Sequence, residues 1–155
     1  RWGHGWAKID EHRMIIVGGM DEDDNRLSSG FIYNMRTQQS TPLLNDMPAA
    51  LNDCCVVAND EFVYVIGGNG CRGTVNTVYR MCLEHEKWTT MTPMGAERCY
   101  FAAIQKDGYI YVFGGRCCNL STTERYSIDN NTWEELPDMP EGPRDRHCAV
   151  STTGS

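Results

Sequence analysis

The feature that most constrains this chain is a run of β-branched and aromatic residues ending in paired glycines, and it occurs three times. The copies are His12-Arg13-Met14-Ile15-Ile16-Val17-Gly18-Gly19, Glu61-Phe62-Val63-Tyr64-Val65-Ile66-Gly67-Gly68 and Gly108-Tyr109-Ile110-Tyr111-Val112-Phe113-Gly114-Gly115. Gly18, Gly67 and Gly114 stand 49 and then 47 residues apart. Such side chains suit a strand covered on both faces. Glycine reaches positive φ without steric cost, which suits an abrupt exit from that strand. A period near 50 residues built on one strand type marks a repeat architecture.

Aligned on their glycines, the units each show four strand-like pieces. A small apolar piece comes first: Gly5–Ile9, Cys54–Ala58 and Phe101–Ile104. A polar hairpin turn leads into the glycine strand. A post-glycine loop of variable length follows, at 20–30, 69–75 and 116–122. A third strand then runs through Phe31-Ile32-Tyr33, Val78–Met81 and Glu124-Arg125-Tyr126, and a fourth lies around Trp88 and Trp133. Four short strands joined by hairpins cannot bury both faces alone, and stacking neighbouring sheets around an axis covers them. The expected fold is therefore all-β, a β-propeller of four-stranded antiparallel blades. Blade 1 spans about 4–47, blade 2 about 52–94 and blade 3 about 99–139. Residues 145–152 begin a fourth, because Arg146-His147-Cys148-Ala149-Val150 resembles the lead-in at Arg98–Ala103.

Composition bounds the partners. A formal net charge of −7 argues against nucleic acid or an anionic membrane surface, and no apolar run approaches the ~18 residues of a spanning helix. The eight cysteines include the adjacent pairs Cys54-Cys55 and Cys117-Cys118 and no C-x-x-C. That layout suits buried free thiols in a reducing compartment better than a disulfide framework, so the expected location is cytoplasmic. The chain opens on Arg1 without methionine, which suggests a natural start further upstream.

The strand ending in Gly-Gly, an aromatic in the next strand and a tryptophan seven residues later resemble the kelch repeat. The third unit matches best, with Gly114-Gly115, Glu124, Tyr126 and Trp133. The second has Met81 at the family's tyrosine position, and the first has Ser40 at its tryptophan position. That serine predicts that the first blade is the loosest. The resemblance implies a ring of more blades, commonly about six, so three blades are an open or incomplete ring. Exposed blade edges then predict self-association.

The resemblance also implies binding of partner proteins or peptides through loops on one face. Carried onto this chain, the partner-binding candidates are Arg72, Arg98, Arg116, Arg146, Arg26 and Asn69, with Arg98 and Arg146 at the mouth of a central channel. Arginines converging on a rim would hold carboxylates in bidentate fashion, which points to an acidic peptide. The competing reading pairs these arginines with Asp53, Glu97 and Asp145 between blades. The acidic run Asp21–Asn25 lacks the glycine and glutamate of an EF-hand loop and reads as a solvated tip. No cofactor, metal or catalytic residue is expected. The four histidines fall at different points of the repeat, and His147 beside Cys148 reads as an interior position. The function predicted is an interaction module, serving as the substrate-recognition part of a larger adaptor. The alternatives are a fragment of a kelch-type propeller enzyme or a secreted carbohydrate-binding propeller.

Overall fold

The computed structural model describes residues 1–115 and 122–137. They form strands, turns and loops, with no helix among them. The first sheet holds β1 (Gly5–Lys8), β2 (Arg13–Val17), β3 (Gly30–Asn34) and β4 (Gln39–Pro42), paired antiparallel in chain order. The second holds β5 (Cys55–Ala58), β6 (Phe62–Ile66), β9 (Val78–Cys82) and β10 (Trp88–Met91). Between β6 and β9 rises a separate two-stranded hairpin, β7 (Asn69–Gly70) with β8 (Gly73–Thr74). The third sheet holds β11 (Ala102–Lys106), β12 (Tyr109–Phe113), β13 (Thr123–Ser127) and β14 (Thr132–Leu136). The start of a fourth blade at 145–152 lies outside the described residues.

The sheets stack as consecutive blades, with β5 lying against both β1 and β11. One apolar cluster joins Ile15, Val17, Leu43 and Met47 of the first sheet to Val63, Val65, Tyr79 and Met81 of the second. Another joins Tyr64, Ile66 and Val78 of the second to Phe101, Ile110, Val112 and Tyr126 of the third. Strand β6 supplies alternate residues to the two clusters, as its period of two requires. Val63, Tyr64, Val65 and Ile66 are consequently all buried. An uninterrupted apolar run becomes the middle strand of a sandwiched blade.

The paired glycines do more than end a strand. Gly18, Gly67 and Gly114 have φ of 66°, 60° and 65°, a region costly for side chains. A Cβ on Gly18 would stand 2.3 Å from the Leu51 carbonyl oxygen, and one on Gly67 would stand 2.5 Å from that of Arg98. In the first two pairs the second glycine then donates its N–H to that same carbonyl, Gly19 to Leu51 at 2.7 Å and Gly68 to Arg98 at 2.8 Å. The lead-ins of blades 2 and 3 thus cross directly over the glycines of the blade before.

At the outer rim the tryptophans staple blade to blade. Trp88 Nε1 donates to the Asn45 carbonyl at 3.1 Å, and Trp133 Nε1 donates to that of Thr92 at 2.8 Å. Asn131, at φ 54°, accepts from the Thr92 N–H and from the Tyr126 hydroxyl. Each tryptophan faces the preceding blade. Ser40 pairs with Tyr33 as Trp88 pairs with Met81 and Trp133 with Tyr126. Its small size therefore affects the face of blade 1 turned away from blade 2, and leaves the contact between those two blades as the others have it.

Candidate functional site

The post-glycine loops and the blade lead-ins meet on one face, and hydrogen bonds tie them together. Arg26, from the first post-glycine loop, donates Nε to Asn52 Oδ1 at 2.8 Å. Asn52 donates Nδ2 to Asp53 Oδ2 at 2.6 Å, and Asn69 donates Nδ2 to the same oxygen at 3.4 Å. Thr74 completes the line by donating its hydroxyl to Asn69 Oδ1 at 2.9 Å. Asn52 and Asn69 also exchange backbone hydrogen bonds at 3.0 and 2.7 Å. This network locks the first loop to the β7–β8 hairpin, whose two-residue turn Cys71-Arg72 is exposed.

The six candidate residues divide accordingly. Arg26 and Arg72 are exposed. Among the described residues, Arg72 makes no hydrogen bond, and Arg26 engages only its Nε. Asn69 is half-buried and positions Asp53 and Thr74. Arg116 and Arg146 lie outside the described residues.

Arg98 departs from the expectation. It is 0% exposed, and all its donors are taken inside the fold. Nε and Nη2 reach Glu124 Oε2 at 3.2 and 2.9 Å, Nη1 reaches the Gly114 and Thr122 carbonyls at 2.7 and 2.8 Å, and Nη2 also reaches Thr122 Oγ1 at 2.8 Å. Glu124, itself buried, takes the Gly95 N–H on its other oxygen at 2.6 Å. An arginine placed by repeat alignment at a channel mouth is instead a buried fastener between the lead-in and its blade. Its partner is Glu124, rather than the Asp53, Glu97 or Asp145 that sequence neighbourhood offered.

Register explains the difference. Arg1, Leu51 and Arg98 each stand four residues before Gly5, Cys55 and Ala102, which pair with Val17, Ile66 and Phe113. Arg1 makes the same reach, to Ser29 O at 3.1 Å and Ser29 Oγ at 2.9 Å. In the second blade the position is leucine, and the equivalent hydroxyl, Thr77 Oγ1, is buried with no hydrogen-bond partner. The pattern was legible once the register of the three units was known; sequence reasoning missed Glu124 as the partner because the pairing spans 26 residues.

The acidic tip is a self-contained turn. Asp21 Oδ1 accepts from the backbone N–H groups of Asn25 and Asp23, both at 2.9 Å, and Asn25 Nδ2 donates to its other oxygen. These bonds, led by the Asn25 N–H, hold its carboxyl below the usual range. Among the described residues, no three His, Cys, Asp or Glu side chains gather as a metal site. Desolvation pushes the thiols of Cys54 and Cys55, both half-buried, up to about 12, which keeps them protonated near neutral pH. The five cysteines of the described residues, Cys54, Cys55, Cys71, Cys82 and Cys99, are free thiols.

A family model, the KLHDC2/KLHL20/DRC7 Kelch-repeats domain, matches residues 1–155. The chain belongs to the kelch-repeat family. It is 28% identical to human Kelch-like protein 34 over 94% of its length, and 31% identical to Kelch-like protein 40 of Mus musculus over 92%. It is also 29% identical, over 71% of its length, to Kelch repeat and BTB domain-containing protein 2 of Ectromelia virus (strain Moscow). The chain spans 20–23% of the length of these relatives. Among solved structures it is similar to YjhT, with a TM-score of 0.77 and 12% identity, covering 91% of this chain and 53% of that one. Three antiparallel four-stranded kelch blades in an open stack are a partial propeller.

Proposed function

We propose that this kelch unit binds a partner protein or peptide through the face built from its post-glycine loops and lead-ins, with Arg26 and Arg72 as the contact cations. The observation that carries this reading is the contrast between arginines. Arg98 is consumed by the fold, whereas Arg26 and Arg72 keep terminal guanidinium donors exposed on loops that a polar network holds in place. Exposed, pre-positioned guanidinium groups take carboxylates in paired hydrogen bonds, which favours an acidic peptide. The β7–β8 hairpin adds stiffness, so less conformational freedom is lost on binding. Kelch-like and kelch–BTB relatives support an adaptor role inside a longer, cytoplasmic protein, with the chain as the recognition part rather than an enzyme.

The test is fluorescence anisotropy with labelled peptides carrying paired Asp or Glu, beside controls with Asn or Gln at the same positions. The acidic peptides bind more tightly, and Arg26→Glu/Arg72→Glu weakens them at least about tenfold, the loss of one charge-assisted contact. Equal binding of acidic and amide peptides, or an unaffected double variant, rejects the assignment.

A further inference from the structure

One row of side chains recurs at the same register in every blade. Read across the second, third and fourth strands of a sheet, it is Ile15, Ile32 and Thr41 in blade 1, Tyr64, Arg80 and Thr89 in blade 2, and Tyr111, Arg125 and Glu134 in blade 3. In blade 3 the row closes on itself. The Arg125 guanidinium lies 4.3 Å from the centre of the Tyr109 ring and forms an ion pair with Glu134 of the outer strand. Blade 2 repeats only the first part. The Arg80 guanidinium lies 4.1 Å from the centre of the Phe62 ring, with Tyr64 opposite it on the neighbouring strand. Where Glu134 would stand, the outer strand has Thr89.

Arg80 is thus left with a charge and no counter-charge. Among the described residues no carboxylate forms an ion pair with it. The polar group beside it, the Tyr64 hydroxyl, is neutral, because burial raises its pKa against the pull of Arg80. Glu61 and Asp129 bear on that hydroxyl as charges, but neither reaches Arg80 as an ion-pair partner. Thr89, in contrast, is exposed. It lies on β10, at the end of its sheet opposite β5, and β5 is the strand that lies against β1 and β11. β10 is therefore the outer rim of the blade, open to solvent whichever blades stand on either side. Residues directly opposed across two strands stand about 4.5–5.5 Å apart at Cβ, so a group extending the Thr89 hydroxyl meets the Arg80 side chain.

We propose that Thr89 is a phosphorylation site whose phosphate supplies the counter-charge that Arg80 lacks. The reaction moves the terminal phosphoryl group of a nucleoside triphosphate onto Thr89 Oγ1. A P–O bond to the threonine forms, the bond to the nucleoside diphosphate breaks, and the hydroxyl proton passes to a base of the kinase. The product carries close to two negative charges and three acceptor oxygens near neutral pH. A guanidinium takes such a group in parallel charge-assisted hydrogen bonds. β10, paired only with β9, is then tied to the body of blade 2 as Glu134 ties β14 to β13 in blade 3. Thr90 is exposed too but cannot do the same. Strand alternation puts it on the other face, opposite Tyr79, which packs against blade 1.

Phosphothreonine, genetically encoded at position 89 or at position 90 of the 155-residue chain, tests the pairing. A 31P NMR titration reads the second ionisation of the phosphate, ordinarily near 6. A neighbouring guanidinium favours the dianion, so the value at 89 is expected to lie about half a unit or more below that at 90, and to return in Arg80→Gln. The melting temperature is expected to rise by about 2 °C or more with phosphate at 89 and not with phosphate at 90. Should Arg80→Gln fail to fold, Thr89→Glu against Thr89→Gln reads the same pair, the glutamate variant melting higher. A phosphate at 89 that titrates like the one at 90, a shift that survives Arg80→Gln, or a glutamate variant no more stable than the glutamine one overturns the proposal. Phosphopeptide mass spectrometry of the protein isolated from its own cells completes the test. Phosphate on Thr89 is the expected result, and a Thr89 found wholly unmodified overturns the assignment.

Discussion

Replacing Arg98 by leucine tests whether this arginine holds the fold or waits for a ligand. Leucine is what the second blade carries at the same register position, in Leu51, and there the position of Glu124 is held by Tyr79, which pairs with Val65 as Glu124 pairs with Val112. Arg98→Leu removes all five hydrogen bonds and leaves the Glu124 carboxylate buried without its cation. Breaking a buried pair from one side costs about 3–5 kcal/mol, because the remaining charge is uncompensated. For a chain of this size that is a fall in Tm of about 10 °C. Adding Glu124→Tyr removes the stranded charge and reproduces the second-blade arrangement, so most of the loss returns, to within about 2 kcal/mol of wild type. Urea unfolding of the four proteins in the cycle gives the coupling directly. A single variant within about 1 kcal/mol of wild type, or a double variant as unstable as the sum of its singles, refutes the reasoning.

The orphaned hydroxyl of the second blade makes the converse case. Thr77→Val removes a buried group that has no partner and keeps the side-chain shape, so it stabilises by about 1 kcal/mol in the same urea assay. Thr122→Val, which strips an Arg98 partner, destabilises instead. Thiol labelling with iodoacetamide at pH 8, read by peptide mass spectrometry, modifies Cys71 in the exposed hairpin turn while Cys54 and Cys55 stay protected until the chain unfolds. Their raised folded-state values mean that the folded form holds its thiol protons where an unfolded thiol, near 9, would release them. The folding advantage from this source is therefore full below pH 9 and is lost as pH climbs toward 12.

Much of the fold could be read from the chain because its strongest signal is local and repeated. The alternating and continuous apolar runs placed β2, β6 and β12, and the glycine pairs fixed where each ends. What the pairs are for was not local: the crowding carbonyl belongs to a residue about 30 positions later, such as Leu51 over Gly18. The β7–β8 hairpin falls in a stretch that reads as loop, because strands of two residues carry no periodicity and its turn residues, Cys71 and Arg72, are not the Asn-Gly or Gly-led pairs that mark a two-residue hairpin. At the site, alignment placed Arg26, Arg72 and Asn69 on the loop face. It misjudged Arg98, because a charged residue reads as exposed unless its partner is known, and Glu124 is distant in sequence.

The central claim is that each blade is a sheet leaning on its neighbours, with the second covered on both faces. Backbone amide hydrogen exchange followed by NMR measures that cover strand by strand. Val63–Ile66 should exchange most slowly of the three glycine strands, β2 and β12 should follow, and the exposed β4 should exchange first. Equal protection of the three glycine strands, or fastest exchange in Val63–Ile66, would contradict the stacked arrangement.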